Sequence, residues 1–144
     1  MVDALESARK VLDPGGVLVD ARPDSRVKAR LEHDGRTVAI LRTQAFAAGD
    51  DRQADRAVAI VKRRGVLRRV RAGRFWHRMP FAGRAEFDAY LREHLRFVHR
   101  PLWTSTWRAH AREWRDDPLV VVRAIRFEIL APGERATAAR RARG

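Results

Sequence analysis

Leu5, Ala8 and Leu12 recur at helical spacing, and Glu6 follows Asp3 by three residues, the spacing of a capping box. The pattern predicts a helix over 3–12, stopped by Pro14-Gly15-Gly16. Val17-Leu18-Val19 is a continuous apolar run ending at Asp20, which suits a strand covered on both faces inside a parallel sheet. Beyond Pro23, Val27, Ala29 and Leu31 alternate with Lys28 and Arg30, Asp34-Gly35 supplies a turn, and Thr37 to Arg42 returns as an apolar strand. Residues 26–43 therefore read as a hairpin.

A second helix opens at Gly49-Asp50-Asp51, with its acids at the positive end of the helix dipole. Ala54, Ala57, Val58 and Val61 form its apolar stripe, Lys62-Arg63-Arg64 suit its negative end, and Gly65 is placed to terminate it. Residues 66–79 read as a strand in which both parities carry arginine, Arg68 and Arg74 on one face, Arg69 and Arg71 on the other. Only an edge strand, or one projecting from its sheet, can hydrate both faces. A third helix, 85–98, aligns Phe87, Tyr90, Leu91, Leu95 and Val98; a fourth, 102–115, aligns Trp103, Trp107, Ala111 and Trp114. Leu119 to Leu130 is the longest strand signal, and Pro132-Gly133 closes it. The expected class is α/β, α+β-like: about four helices on a mixed sheet of about five strands, including the 26–43 hairpin. One domain is expected over 1–131, followed by a basic, Ala/Arg-rich flexible tail over 132–144.

Composition narrows the function classes. The 144 residues are 45% apolar and 34% charged, proportions of a folded globular chain rather than a disordered one. No window approaches the roughly 18 consecutive apolar residues of a spanning helix, so no membrane partner is expected. The acidic, amphipathic start MVDALESARK lacks the parts of a secretory signal, and a cytoplasmic location is expected. The absence of cysteine excludes a disulfide framework, a thiolate zinc site and a cysteine nucleophile.

Charge is unevenly placed. Of the net +13, residues 50–100 contribute 14 basic against 6 acidic side chains. Between Asp55 and Glu86 lie ten basic residues and no acid. Such a run creates a positive potential that reaches about 8 Å at physiological salt. Arg63, Arg64, Arg68, Arg69, Arg71 and Arg74, with Trp76 among them, are therefore candidates for binding an anionic partner, an acidic protein or a nucleic acid. The competing reading is a solvated face in a chain where 28 of 31 basic residues are arginine.

The order of elements around Leu12-Asp13-Pro14-Gly15-Gly16 and the apolar strand behind it resembles the C-terminal half of class I S-adenosylmethionine-dependent methyltransferases. In those proteins a helix ends in L-x-P-G-G before a buried strand. The resemblance implies half of a methyltransferase-type sheet. The family holds its cofactor with a Gly-rich loop that precedes this turn, and only 13 residues precede Pro14 here, with no G-x-G-x-G. No cofactor is therefore expected, and no catalytic residue is assigned. A half-sheet of that kind leaves an open strand edge, which a homodimer or a partner chain completing the sheet would cover.

Tyr90, His94, Trp103, Trp107, His110 and Trp114 form a second candidate set, as core, as a dimer interface, or as a pocket between the two aromatic helices with His94 or His110 as its polar group. No metal site is expected: H-E-x-x-H is absent, and His94 and His99, five apart, point to different helix faces. The leading expectation is a non-catalytic, methyltransferase-like domain acting through protein association as a homodimer, with its Arg-rich strand open to an acidic partner. The alternatives are a small-molecule or enzymatic pocket between 85–98 and 102–115, and non-specific RNA or DNA binding through 62–78.

Overall fold

The computed structural model describes residues 1–95, 97 and 99–133. In chain order its elements are α1 (Val2–Lys10), β1 (Leu18–Pro23), β2 (Ala29–His33), β3 (Arg36–Leu41), α2 (Ala45–Arg63), β4 (Leu67–Phe81), α3 (Arg84–His94), β5 (Leu102–Trp103), α4 (Ser105–His110) and β6 (Leu119–Pro132). Helices and strands are mixed as expected. The strands pair in the order β1-β6-β2-β3-β5, with β4 also on β6. β2 runs antiparallel to both β3 and β6, and β3 antiparallel to β5. β5, which the sequence pattern does not predict as a strand, is only two residues long and falls where that pattern predicts a helix.

The chain divides into two compact units. One comprises Met1–Arg22, Gly49–Arg74 and the chain from Arg126; the other comprises Pro23–Ala48 and Phe75–Ile125. In the first, Val58 and Val61 of α2 pack with Leu67 and Leu130, and Val2, Leu5 and Leu18 close around them. These include the residues that the periodicity of α2 places on its apolar stripe. Burying each such Val or Leu contributes roughly 1.5–3 kcal/mol, enough to hold a helix whose other face is charged. Gly65 ends α2 as the sequence predicts: its φ is +66°, its N–H donates to the Lys62 carbonyl, and the N–H of Val66 donates to the Val61 carbonyl. That pair of bonds is a Schellman closure, and it turns the chain directly into β4.

In the second unit the core gathers Leu31, Val38, Ala39 and Leu41 of the hairpin, Phe87 and Leu91 of α3, Trp107 of α4, and Phe81, Leu119 and Val121. The hairpin turns at Asp34 and Gly35, with φ of +46° and +72°. Two successive positive φ values are what a two-residue turn needs to match strand twist, and Asp-Gly supplies them at low cost. A register shift between Leu31 and Glu32 lets both Val38 and Ala39 be buried.

Several boundaries differ from expectation. α2 begins at Ala45 rather than at Gly49, so Asp50 and Asp51 lie beyond its first turn, which carries no acid. α1 begins at Val2 with Met1 as its N-cap and no side-chain cap bond, so the Asp3–Glu6 capping box is not formed. Val17-Leu18-Val19 is no interior strand: β1 ends the strand order, and Val17 and Val19 are 47% and 58% exposed. An apolar run satisfies the pattern of a doubly covered strand, but the pattern does not reveal whether neighbours exist to cover it. The predicted helix over 102–115 shortens to Ser105–His110, because Thr104 caps it: its side-chain oxygen accepts from the Trp107 N–H. The helix over 85–98 ends at His94, and Val98 lies outside the described residues. From residue 134 on, the tail expected over 132–144 also lies outside them. No helix among the described residues is long and apolar enough to cross a membrane.

Candidate binding surface on β4

β4 is exposed from Arg68 through Arg78, bounded by buried Leu67 and Phe81. Alternation puts Arg68, Val70, Arg74, Trp76 and Arg78 on one face and Arg69, Arg71, Phe75 and His77 on the other. Both faces are thus wet, as arginine on both parities requires, and among the described residues β4 pairs only with β6.

Within the first unit four carboxylates, Glu6, Asp20, Asp55 and Glu128, are engaged by cations. Glu128 accepts Lys62 at 2.7 Å and lies 3.9 Å from Arg69. Glu6 pairs with Arg64. Asp55 bridges Arg22 and Arg126, and Arg22 donates to Asp20 at 2.7 Å and to the Asp51 carbonyl at 3.3 Å. Burial works against the charged form of Arg22, but the bond from Asp20 and the charges of Asp20, Asp55 and Asp51 overcome it and raise the pKa of Arg22. Arg63, Arg68 and Arg71 are left with no carboxylate partner among the described residues. Three exposed, unneutralised guanidinium groups in one short span leave a net positive field there.

Within the second unit, four side chains form an ordered cluster. Arg30 Nε donates to Glu32 Oε1 at 2.7 Å, and Arg78 Nη2 donates to Glu32 Oε2 at 3.0 Å. The Arg30 guanidinium carbon stands 4.7 Å from the centre of the Trp76 ring, a cation–π contact. Glu32 is only 8% exposed, whereas Arg78 is 54% exposed. Burial favours the neutral acid at Glu32, but the hydrogen bonds and charges of Arg30 and Arg78 outweigh it and hold the carboxyl below the usual range. One carboxylate between two guanidinium groups leaves the cluster with a charge of +1.

A depressed carboxylate pKa gives a definite pH dependence. The stabilisation from Glu32 is present in full above its unfolded-state pKa and is lost as pH falls through the lower, folded value. Glu32→Gln should therefore cost about 1–2 kcal/mol near neutral pH, discounted because both arginines are partly solvated, and this difference should shrink in acid. Urea unfolding of both proteins at pH 7 and pH 3 measures it. A gap that stays constant with pH would show that the carboxylate charge contributes nothing.

The aromatic candidates are brought together, but on one another. Trp103 stacks on Trp107 at 4.8 Å, Trp107 meets Trp114 at 6.0 Å, and Phe87 meets Trp103 edge-on at 6.1 Å. Arg84 lies 4.2 Å over Trp103. Tyr90 and His94 stack at 4.2 Å, and His94 Nδ1 is bonded to the Tyr90 carbonyl oxygen. His110 is exposed, stacked on Trp114 and bonded to Glu113. The residues the sequence did not single out are Arg30, Glu32, His33 and Asp117. His33 stacks on Trp114 at 4.6 Å, bonds Asp117 through Nε2, and with Asp34, Asp117 and Pro118 lines a shallow cleft of about 380 Å³. A signal for the first two did exist: Arg30 and Glu32 are opposite charges two apart on a strand, hence on one face. No group of three or more metal-ligating side chains occurs among the described residues.

The turn that carries the methyltransferase resemblance is formed: Gly15 has φ +82°, and the Gly16 N–H donates to the Asp13 carbonyl at 2.8 Å ahead of β1. Compared with family models, curated proteins and solved structures, the chain matches none.

Proposed function

We propose that this protein is a non-catalytic association module that uses β4 to hold a polyanionic partner. The observation that carries the reading is the exposure of Arg68 and Arg71, which have no carboxylate partner among the described residues, beside an exposed Arg69 that shares Glu128 with Lys62 at the longer distance of 3.9 Å. Solvated charge alone would tolerate acids interspersed among the bases; here none occurs between Asp55 and Glu86. The likeness of Leu12–Gly16 to methyltransferase C-terminal halves belongs to the same proposal as a statement of relationship, without activity.

β4 is a poor edge for pairing with its own copy, because antiparallel self-pairing sets arginine against arginine. A homodimer would form elsewhere, and the exposed Val19 of β1, with Val17 just before the strand, supplies an apolar edge for it. The polyanion reading is tested by retention on immobilised heparin. The triple substitution Arg68→Ala, Arg69→Ala, Arg71→Ala should elute at much lower salt than the unsubstituted protein. Arg36→Ala, Arg42→Ala, Arg92→Ala removes the same charge from other exposed positions and should elute close to it. Equal shifts for the two triples would show that net charge, and not β4, governs binding, and the reading would fall.

A further inference from the structure

Four tryptophans occur in the chain, and their surroundings separate them. Trp103, Trp107 and Trp114 each stack on other rings. Trp76 has no ring neighbour among the described residues and is 48% exposed, with the Arg30 guanidinium over its ring as its aromatic-face partner. That guanidinium is held in place, since Arg30 Nε is tied to a Glu32 carboxylate which Arg78 secures from its other oxygen. An exposed indole costs hydrophobic free energy on a surface, and an anchored cation beneath it costs side-chain entropy. Together they make a flat, rigid platform of net positive charge.

We infer that the polyanion is an unpaired nucleic-acid strand, with a base stacked on the open surface of Trp76 and a phosphate met by Arg78 beside it. The inference rests on the polyanion reading and adds the chemistry of the partner. Acidic proteins and sulfated sugars answer the charge but offer no flat π face to the indole. A duplex hides its base faces in its own stack. An unpaired strand presents both, and base–aromatic stacking contributes about 1–3 kcal/mol per base, without sequence preference. The cation on the other side of the ring strengthens the platform through the same quadrupole attraction that binds it.

The test compares a labelled thymidylate dodecamer, an abasic phosphodiester strand of the same length, and polyglutamate, by fluorescence anisotropy at one salt concentration. The unsubstituted protein should bind thymidylate roughly 5- to 100-fold more tightly than the abasic strand, the equivalent of one stacked base. Trp76→Ala should bring the two together while keeping the abasic affinity, and Trp76→Phe should retain part of the difference. Thermal unfolding of each variant confirms that the fold is intact, as expected for a half-exposed position. A uridylate strand of equal length should bind like thymidylate, because stacking ignores the sugar. Equal affinity for thymidylate and abasic strands, or polyglutamate binding as tight as thymidylate, would overturn the inference while leaving the polyanion reading in place. Failure of the heparin comparison would instead remove the polyanion reading itself.

Discussion

Trp107→Ala is expected to lower stability by about 3–5 kcal/mol, the largest single-residue effect in the protein. Trp107 is 2% exposed and sits in the core of the second unit among Leu31, Leu41, Phe87 and Leu119. Its indole is stacked on Trp103, touched by Trp114, and approached edge-on by His33 at 6.4 Å. Truncation removes the transfer free energy of a large ring and leaves a void between rigid aromatic neighbours, which cannot collapse into it without giving up their own stacking. Marginal stability of about 5–15 kcal/mol for an ordinary domain means that such a loss approaches unfolding. Urea denaturation should show the midpoint falling steeply for Trp107→Ala and hardly at all for Trp76→Ala, since Trp76 is half exposed. Equal losses at the two positions would contradict the division of the tryptophans into core and surface.

Reversing charge on β4, with Arg68→Glu, Arg69→Glu and Arg71→Glu together, is expected to abolish detectable binding of an unpaired strand, a loss of at least 100-fold. Each guanidinium that meets a phosphate releases a counterion from the strand, and log K falls with log salt at roughly 0.7 per neutralised phosphate for single strands. Removing all three guanidinium groups makes the slope shallower by about 2, and three carboxylates then add repulsion where attraction stood. Stability should change little, because all three side chains are exposed and Arg68 and Arg71 have no carboxylate partner among the described residues. Binding measured across a salt series reads both affinity and slope. A variant that keeps the slope of the unsubstituted protein would show that phosphates are bound elsewhere.

How far the sequence spoke depends on the element. Local chemistry was legible: Asp34-Gly35 announced its turn, Gly65 its helix end, and arginine on both parities of β4 announced a strand wet on both sides. Ala54, Ala57, Val58 and Val61 gave the buried stripe of α2 directly. What depends on neighbours distant in sequence was less legible. Val17-Leu18-Val19 carries the pattern of a covered strand, yet coverage is a property of what lies beside it, and β1 is the last strand in the order. The tryptophan stripe of 102–115 suits a continuous helix, whereas the folded chain starts the helix only at Ser105, where the Thr104 side chain caps it. Trp76 was visible as an aromatic among arginines, but its Arg30–Glu32–Arg78 support was not, because Arg30 and Arg78 lie 48 positions apart and only folding joins them through one carboxylate.

Ultraviolet cross-linking of an unpaired strand, followed by tryptic mass spectrometry, tests the central claim most directly. Cleavage after Arg74 and Arg78 releases the tetrapeptide Phe75-Trp76-His77-Arg78. The cross-linked nucleotide should be found on that peptide, with its yield falling sharply in Trp76→Ala. Cross-links confined to the peptides that carry Trp103, Trp107 or Trp114 would contradict the assignment of β4 as the surface that holds the strand.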